Sequence, residues 1–195
     1  MPQGEIRSFI AIELPDAIKC ALARIIGDLK RPQYSFLRWV NPFGIHLTLK
    51  FLGNIKIEVK EAIVEVLKEH CSRTQKIILE IANLGMFPNS KRPHVLCIGM
   101  GGEVDKLIVL QGQIDNSLER LGFSKEKRSF SPHITLARFN GAIERSELSA
   151  LMEVVQQYSN EMKYEMIVGT VSLMRSQLFP TGSIYSQLAE VGLGE

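Results

Sequence analysis

The sequence predicts a mixed α+β fold, and three observations carry that expectation. Segments with an apolar residue at every second position are interspersed with segments whose apolar residues recur every three or four, the marks of half-buried strands and amphipathic helices. The two kinds mix without the regular strand-then-helix cadence of a parallel sheet. A four-residue strand motif also occurs twice, at 46–49 and 133–136, a separation of 133 minus 46, or 87 residues.

Residues 6–14 alternate, with Ile10, Ile12 and Leu14 on one face and Phe9, Ala11 and Glu13 on the other, which predicts a strand. Pro15 and Asp16 then start a helix over 16–29. Its inner positions are Ile18, Leu22, Ile25, Ile26 and Leu29; Lys19, Arg24, Asp28 and Lys30 turn outward, and Pro32 ends it. Strict alternation over 44–53 predicts a second strand, and 58–71 reads as a helix burying Ala62, Ile63, Val66, Leu67 and Cys71. Strands follow at 76–84 and 94–100, on either side of a turn at 87–90. A helix over 103–121 carries Leu107, Leu110, Ile114, Leu118 and Leu121 on one stripe. A strand at 131–139, a helix at 144–157 and strands at 164–175 and 183–191 complete the series.

With 195 residues the chain has the length of one domain or of two tightly joined lobes, enough for a sizeable core. Apolar residues make up 45% and charged residues 23%, which excludes disorder, collagen and coiled coil. A net charge of +2 is too small to grip nucleic acid by bulk electrostatics, so any such contact must be local. Cys20, Cys71 and Cys97 show no zinc or redox spacing and read as reduced, buried thiols of a cytoplasmic protein. The apolar stretch 9–12 is too short for a signal peptide, and no run approaches the roughly 18 residues of a membrane span.

The repeated motif carries the chemistry. In His46-Leu47-Thr48-Leu49 and His133-Ile134-Thr135-Leu136, alternation sends Leu47, Leu49, Ile134 and Leu136 into the core. Each copy then presents an imidazole beside a hydroxyl. Should two similar lobes face each other, the copies meet across a cleft as two imidazoles flanked by two hydroxyls; otherwise they are unrelated strands that happen to look alike. Histidine titrates near 6.5, so one neutral ring can take a proton from water while a protonated partner donates to a leaving oxygen. The threonines can hold non-bridging phosphate oxygens. This phosphoester scheme calls for no metal and no cofactor.

These residues resemble the 2H phosphoesterase superfamily, in particular its RNA 2′,3′-cyclic phosphodiesterase branch, also called 2′-5′ RNA ligases. The likeness includes the opening stretch 7–15, Arg38-Trp39-Val40 ahead of His46-Leu47-Thr48-Leu49-Lys50-Phe51-Leu52-Gly53, and Gly85-Met86-Phe87-Pro88. It continues through Phe130-Ser131-Pro132-His133-Ile134-Thr135-Leu136-Ala137-Arg138 to Ser176, Gly182 and Tyr185. The resemblance implies a single bilobal α+β domain with a pseudo-two-fold duplication, an antiparallel sheet and outer helices in each lobe, and the active site in the cleft between them. It also implies metal-free hydrolysis of a terminal 2′,3′-cyclic phosphate on RNA to a 2′-phosphate, and 2′-5′ ligation when a ribose 5′-hydroxyl replaces water. His46 and His133 become the catalytic pair, His46 as acid on the leaving 3′ oxygen and His133 as base on water. Thr48 and Thr135 become the phosphate ligands. The expected partner is an RNA end, met by a monomer.

Two other readings stand beside it: an enzyme opening a small cyclic nucleotide such as ADP-ribose 1″,2″-cyclic phosphate, and a non-catalytic RNA-end binding module. A pure binder needs charge but not proton transfer, so two intact histidines argue against the second.

Other residues have weaker signals. Arg138 could pair bidentately with phosphate, yet it lies five residues from His133 and strict alternation turns it away unless the strand bends. Phe9 could stack on a terminal base or pack between lobes. Lys50 shares the His46 face by alternation and reads as solvated, as does the charged run 125–128. Trp39, Tyr185 and His70 read as structural. His94 and Cys97 fall on opposite strand faces, which disfavours a metal site, and Gly99, Gly101 and Gly102 lack the third glycine of a dinucleotide loop, where Val104 stands.

Overall fold

The computed structural model describes residues 4–141, 143–180 and 182–194. In chain order the elements are β1 (Glu5–Glu13), α1 (Asp16–Leu29), β2 (Leu37–Trp39), β3 (His46–Lys56), α2 (Lys60–Cys71), β4 (Ile77–Phe87), β5 (Val95–Gly102), α3 (Val104–Glu119), β6 (His133–Phe139), α4 (Arg145–Glu161), β7 (Lys163–Val168), β8 (Thr170–Phe179) and β9 (Gly182–Gly192). Short 3₁₀ turns at Pro32–Tyr34, Pro42–Gly44 and Ile57–Val59 join some of them.

The strands form two antiparallel sheets, ordered β3-β1-β8-β9 and β2-β6-β5-β4-β7. β3 beside β1 in the first sheet corresponds to β6 beside β5 in the second, so each lobe carries one copy of the repeated motif. One contiguous apolar cluster runs through both sheets; it takes Ile10 and Ile12 from β1, Leu47 and Leu49 from β3, Leu96 and Ile98 from β5, and Ile134 and Leu136 from β6. Those from β1, β3 and β6 are the core-facing positions that alternation assigns. Helix stripes complete it through Leu22 and Leu29 of α1, Ile63 and Leu67 of α2, and Leu107, Leu110, Ile114 and Leu118 of α3. A capping box between Glu144 and Glu147 fixes the start of α4. No helix among the described residues is long and apolar enough to cross a membrane.

The structure departs from the sequence expectation at several points. The alternating stretch 164–175 is two strands, β7 and β8, and the break at Gly169 lets the chain leave the second sheet for the first. Residues 37–39 add β2 to the second sheet, although three residues are too few to show a period. α3 ends at Glu119, which leaves Leu121 37% exposed. Cys20 is exposed on α1, while Cys71 and Cys97 are buried as expected.

Candidate active site

β3 and β6 touch one another, and a short connection fixes how they sit. β2 pairs with β6 through Trp39 and Ala137, and the Val40 amide donates to the Leu136 carbonyl at 3.0 Å. Only six residues later the chain enters β3 at His46. Six residues span at most roughly 20 Å when extended, and the turn Pro42–Gly44 shortens that reach. The two histidine strands are therefore neighbours from different sheets.

Both imidazoles are held alike. His46 Nδ1 lies 2.9 Å from the Gly44 carbonyl, and His133 Nδ1 lies 2.8 Å from the Ser131 carbonyl, in each case two residues upstream. A carbonyl only accepts, so Nδ1 carries the hydrogen and Nε2 is left to exchange protons in both rings. The rings are also packed against aromatic faces. His46 stacks on Phe9 with centroids 4.6 Å apart and meets the Tyr185 edge at 5.0 Å; His133 stacks on Phe87 at 5.0 Å. Such packing limits ring rotation and holds Nε2 in place.

Thr48 and Thr135 are half-buried beside their histidines. Their cross-strand partners on the same face are Ala11 and Cys97. Burial pushes the Cys97 thiol up to about 11, so it stays protonated at neutral pH and is not poised as a nucleophile.

A feature invisible in the alternation decides where the later residues point. Ile10 pairs with Lys50 and Ala11 with Thr48, so Leu49 is an extra residue on β3. Leu96 pairs with Ala137 and Cys97 with Thr135, so Leu136 is extra on β6, at the same place in the motif. Each bulged carbonyl finds an outside donor, Gln111 Nε2 for Leu49 at 3.3 Å and the Val40 amide for Leu136. One added residue reverses the faces beyond it. Arg138 thus returns to the side of His133 and Thr135, the bend that strict alternation lacked. Phe51 takes the equivalent position in the other lobe, 58% exposed and 6.2 Å from the Phe9 ring.

The same reversal corrects the reading of Lys50. It is not solvated: at 3% exposure it is ion-paired with Asp115 of α3, and its Nζ donates to the Ser124 carbonyl at 2.8 Å. Phe9 is 3% exposed, with one face against His46 and Tyr185 against its ring. His70 bridges α2 to Ser117 of α3 at 2.8 Å, a structural role as expected. Trp39 packs against the core. Among the described residues no three or more His, Cys, Asp or Glu side chains gather as a metal site.

Desolvation by burial lowers the pKa of His46; the Gly44 carbonyl opposes this, while the charges of Lys19 and Arg138 add to it. The Arg138 charge on β6 thus lies close enough to bear on the His46 ring of β3. Without ligand His46 is therefore neutral at neutral pH, the proton-accepting form. That direction runs against its assignment as the acid; a bound phosphate anion would pull the pKa back up. Because burial favours the neutral ring, the contribution of His46 to stability is full above the ordinary histidine value and fades as pH falls through its lowered one.

Sequence reasoning missed four contributors. Lys19 reads as an outward residue of α1 yet is half-buried with its charge felt at His46, Phe87 falls in a segment read as a turn, and the carbonyls of Gly44 and Ser131 are backbone groups with no signature.

A duplicated two-sheet fold with a matched pair of His-x-Thr strands defines a phosphoesterase of the 2H superfamily. The chain belongs to the LigT-like phosphoesterase family, whose model matches it twice, over residues 12–97 and 98–185. It is 33% identical over 183 residues to a protein of Archaeoglobus fulgidus named RNA 2′,3′-cyclic phosphodiesterase, covering 94% of this chain and 98% of that one. A protein of the same name from Aeropyrum pernix is 33% identical over 80% of this chain and 85% of its own length. Among solved structures, the TT0787 protein of Thermus thermophilus superposes with a TM-score of 0.78 at 26% identity, covering 97% of this chain and all of that one. Escherichia coli LigT complexed with 3′-AMP shares the fold, with a TM-score of 0.76 at 23% identity over 98% of this chain and 99% of that one.

Proposed function

We propose that the protein is a metal-independent RNA 2′,3′-cyclic phosphodiesterase that leaves a 2′-phosphate, acting as a monomer in the cytoplasm. The observation that carries this reading is the matched hydrogen bonding of the two imidazoles, each Nδ1 tied to the carbonyl two residues upstream and each Nε2 without a hydrogen-bond partner among the described residues. Two equivalent proton-exchanging atoms on adjoining strands suit in-line displacement at phosphorus, where one proton must leave the nucleophile as another reaches the leaving group.

One imidazole takes the proton of the attacking water as its oxygen bonds to phosphorus. The bond from phosphorus to the 3′ oxygen breaks, and the second imidazole donates its Nε2 proton there. Thr48 and Thr135 hold the non-bridging oxygens, and Arg138 neutralises charge that builds on them. A ribose 5′-hydroxyl in place of water gives a 2′-5′ linkage by the same transfers. The relatives named RNA 2′,3′-cyclic phosphodiesterase support the substrate class.

The test supplies an oligonucleotide ending in 2′,3′-cyclic phosphate in EDTA, with ADP-ribose 1″,2″-cyclic phosphate as competitor, and locates the phosphate on the product. The expected outcome is an RNA 2′-phosphate, undiminished by chelation and with a bell-shaped pH profile. A 3′-phosphate product, a strict metal requirement or turnover of the ADP-ribose compound alone overturns the reading.

A further inference from the structure

β2 breaks the symmetry between the lobes. β3 is an outer strand of the first sheet, whereas its counterpart β6 is flanked by β2, three residues long. In β2, Leu37 and Trp39 turn toward the core, and the middle residue, Arg38, is exposed. The register places Arg38 directly opposite Arg138, and residues directly opposite across an antiparallel pair share a face. The bulge at Leu136 has already put that face on the side of His133 and Thr135.

Arg38 and Arg138 therefore project from directly opposite positions on one face of the β2–β6 pair, the His133 side. Like charges opposite one another on a ladder are unfavourable. Neither arginine is among the ion pairs of the described residues. At the equivalent place in the first lobe stands Phe51, with no strand beyond it. The positive pair is thus a property of the second lobe only, and Arg38 lies one strand further from His133 than Arg138 does.

We propose that Arg38 binds the phosphodiester preceding the reacting phosphate of an RNA strand, so that the second lobe reads the strand's backbone. The inference rests on the phosphodiesterase reading for its ligand, since Arg138 serves the reacting phosphate there. A guanidinium forks onto phosphate oxygens bidentately. Contacts of this kind fix register without reading bases and weaken with salt. The natural substrate class is accordingly an oligonucleotide, with at least one internal phosphodiester, rather than a lone cyclic nucleotide.

The test compares equilibrium binding of a dinucleotide ending in 2′-phosphate with that of a mononucleoside 2′-phosphate, in the wild-type protein and in Arg38→Gln. The expected result is a loss of about tenfold for the dinucleotide alone, with the slope of log affinity against log salt reduced by about 0.7, the value for one single-strand phosphate contact. Equal loss for both ligands, or no loss for either, overturns the proposal. Turnover is scored separately: a wild-type protein that cleaves no cyclic phosphate removes the parent reading, while the binding comparison still decides the role of Arg38. Arg38→Lys, which keeps the charge, restores the salt slope if the contact is to phosphate.

Discussion

His46→Ala and His133→Ala each lower kcat by at least about 10², the low end of what one positioned proton donor or acceptor supplies. The two residues are expected to behave as a unit. Removing either ring stops one of two transfers that must accompany the same displacement, so the double variant should be far less impaired than the product of the single losses. Substrate binding survives in large part, because Thr48, Thr135 and Arg138 remain; the loss falls on kcat rather than KM. Steady-state kinetics of the three variants checks this, and near-normal kcat in either single variant removes that histidine from the pair. The supporting rings should matter less. Phe9 and Phe87 act only by orienting an imidazole already tethered at Nδ1.

Removing either partner of the buried Lys50–Asp115 pair should be the most destabilising single change outside the apolar core. Lys50 follows the bulge of β3; Asp115 lies in α3 and also accepts from the Glu126 amide at 3.3 Å. The Ser124 carbonyl completes the set, so the pair joins the His46 strand to the segment that leads to His133. Lys50→Met or Asp115→Leu leaves one buried charge without its counterion, at a cost of about 3–5 kcal/mol. For a chain of this length that corresponds to a Tm drop on the order of 10 °C. The double variant Lys50→Met/Asp115→Leu should recover most of it, since a buried ion pair replaced by apolar residues of similar size is often neutral. Thermal unfolding of the three variants decides: single variants as stable as the parent would show the pair to be solvated, and a double variant worse than both would show that the contact is not a pair.

The elements of the fold were legible where period and length agree. Helix α1 begins and ends at the residues that Pro15, Asp16 and Pro32 delimit, and the motif strands put Leu47, Leu49, Ile134 and Leu136 into the core as alternation requires. The histidines and threonines could be read because they precede the bulges. Lys50 and Arg138 could not, because the single extra residue at Leu49 or Leu136 is defined by the partner strand and leaves no trace in its own sequence. Strict alternation turns Arg138 away from the cleft and Lys50 toward it, and one bulge geometry reverses both. The split at Gly169 is hidden for a related reason: β7 and β8 are both apolar and strand-like, and only their membership of different sheets separates them. Cys20 shows the limit of reading burial from residue type, since its place on the outer face of α1 overrides the tendency of cysteine to be buried.

The proposed mechanism requires His46 and His133 to attend one phosphate. ¹⁵N NMR of both imidazoles during titration with a nucleoside 2′-phosphate tests this most directly. In the free protein His46 should protonate below the ordinary histidine range, as its burial and the charges of Lys19 and Arg138 require. On addition of ligand, Nε2 of both rings should shift along one shared saturation curve of 1:1 stoichiometry, with the His46 pKa rising as the anion arrives and each Nδ1 remaining protonated. A response confined to one ring, or two curves with separate affinities, contradicts the account.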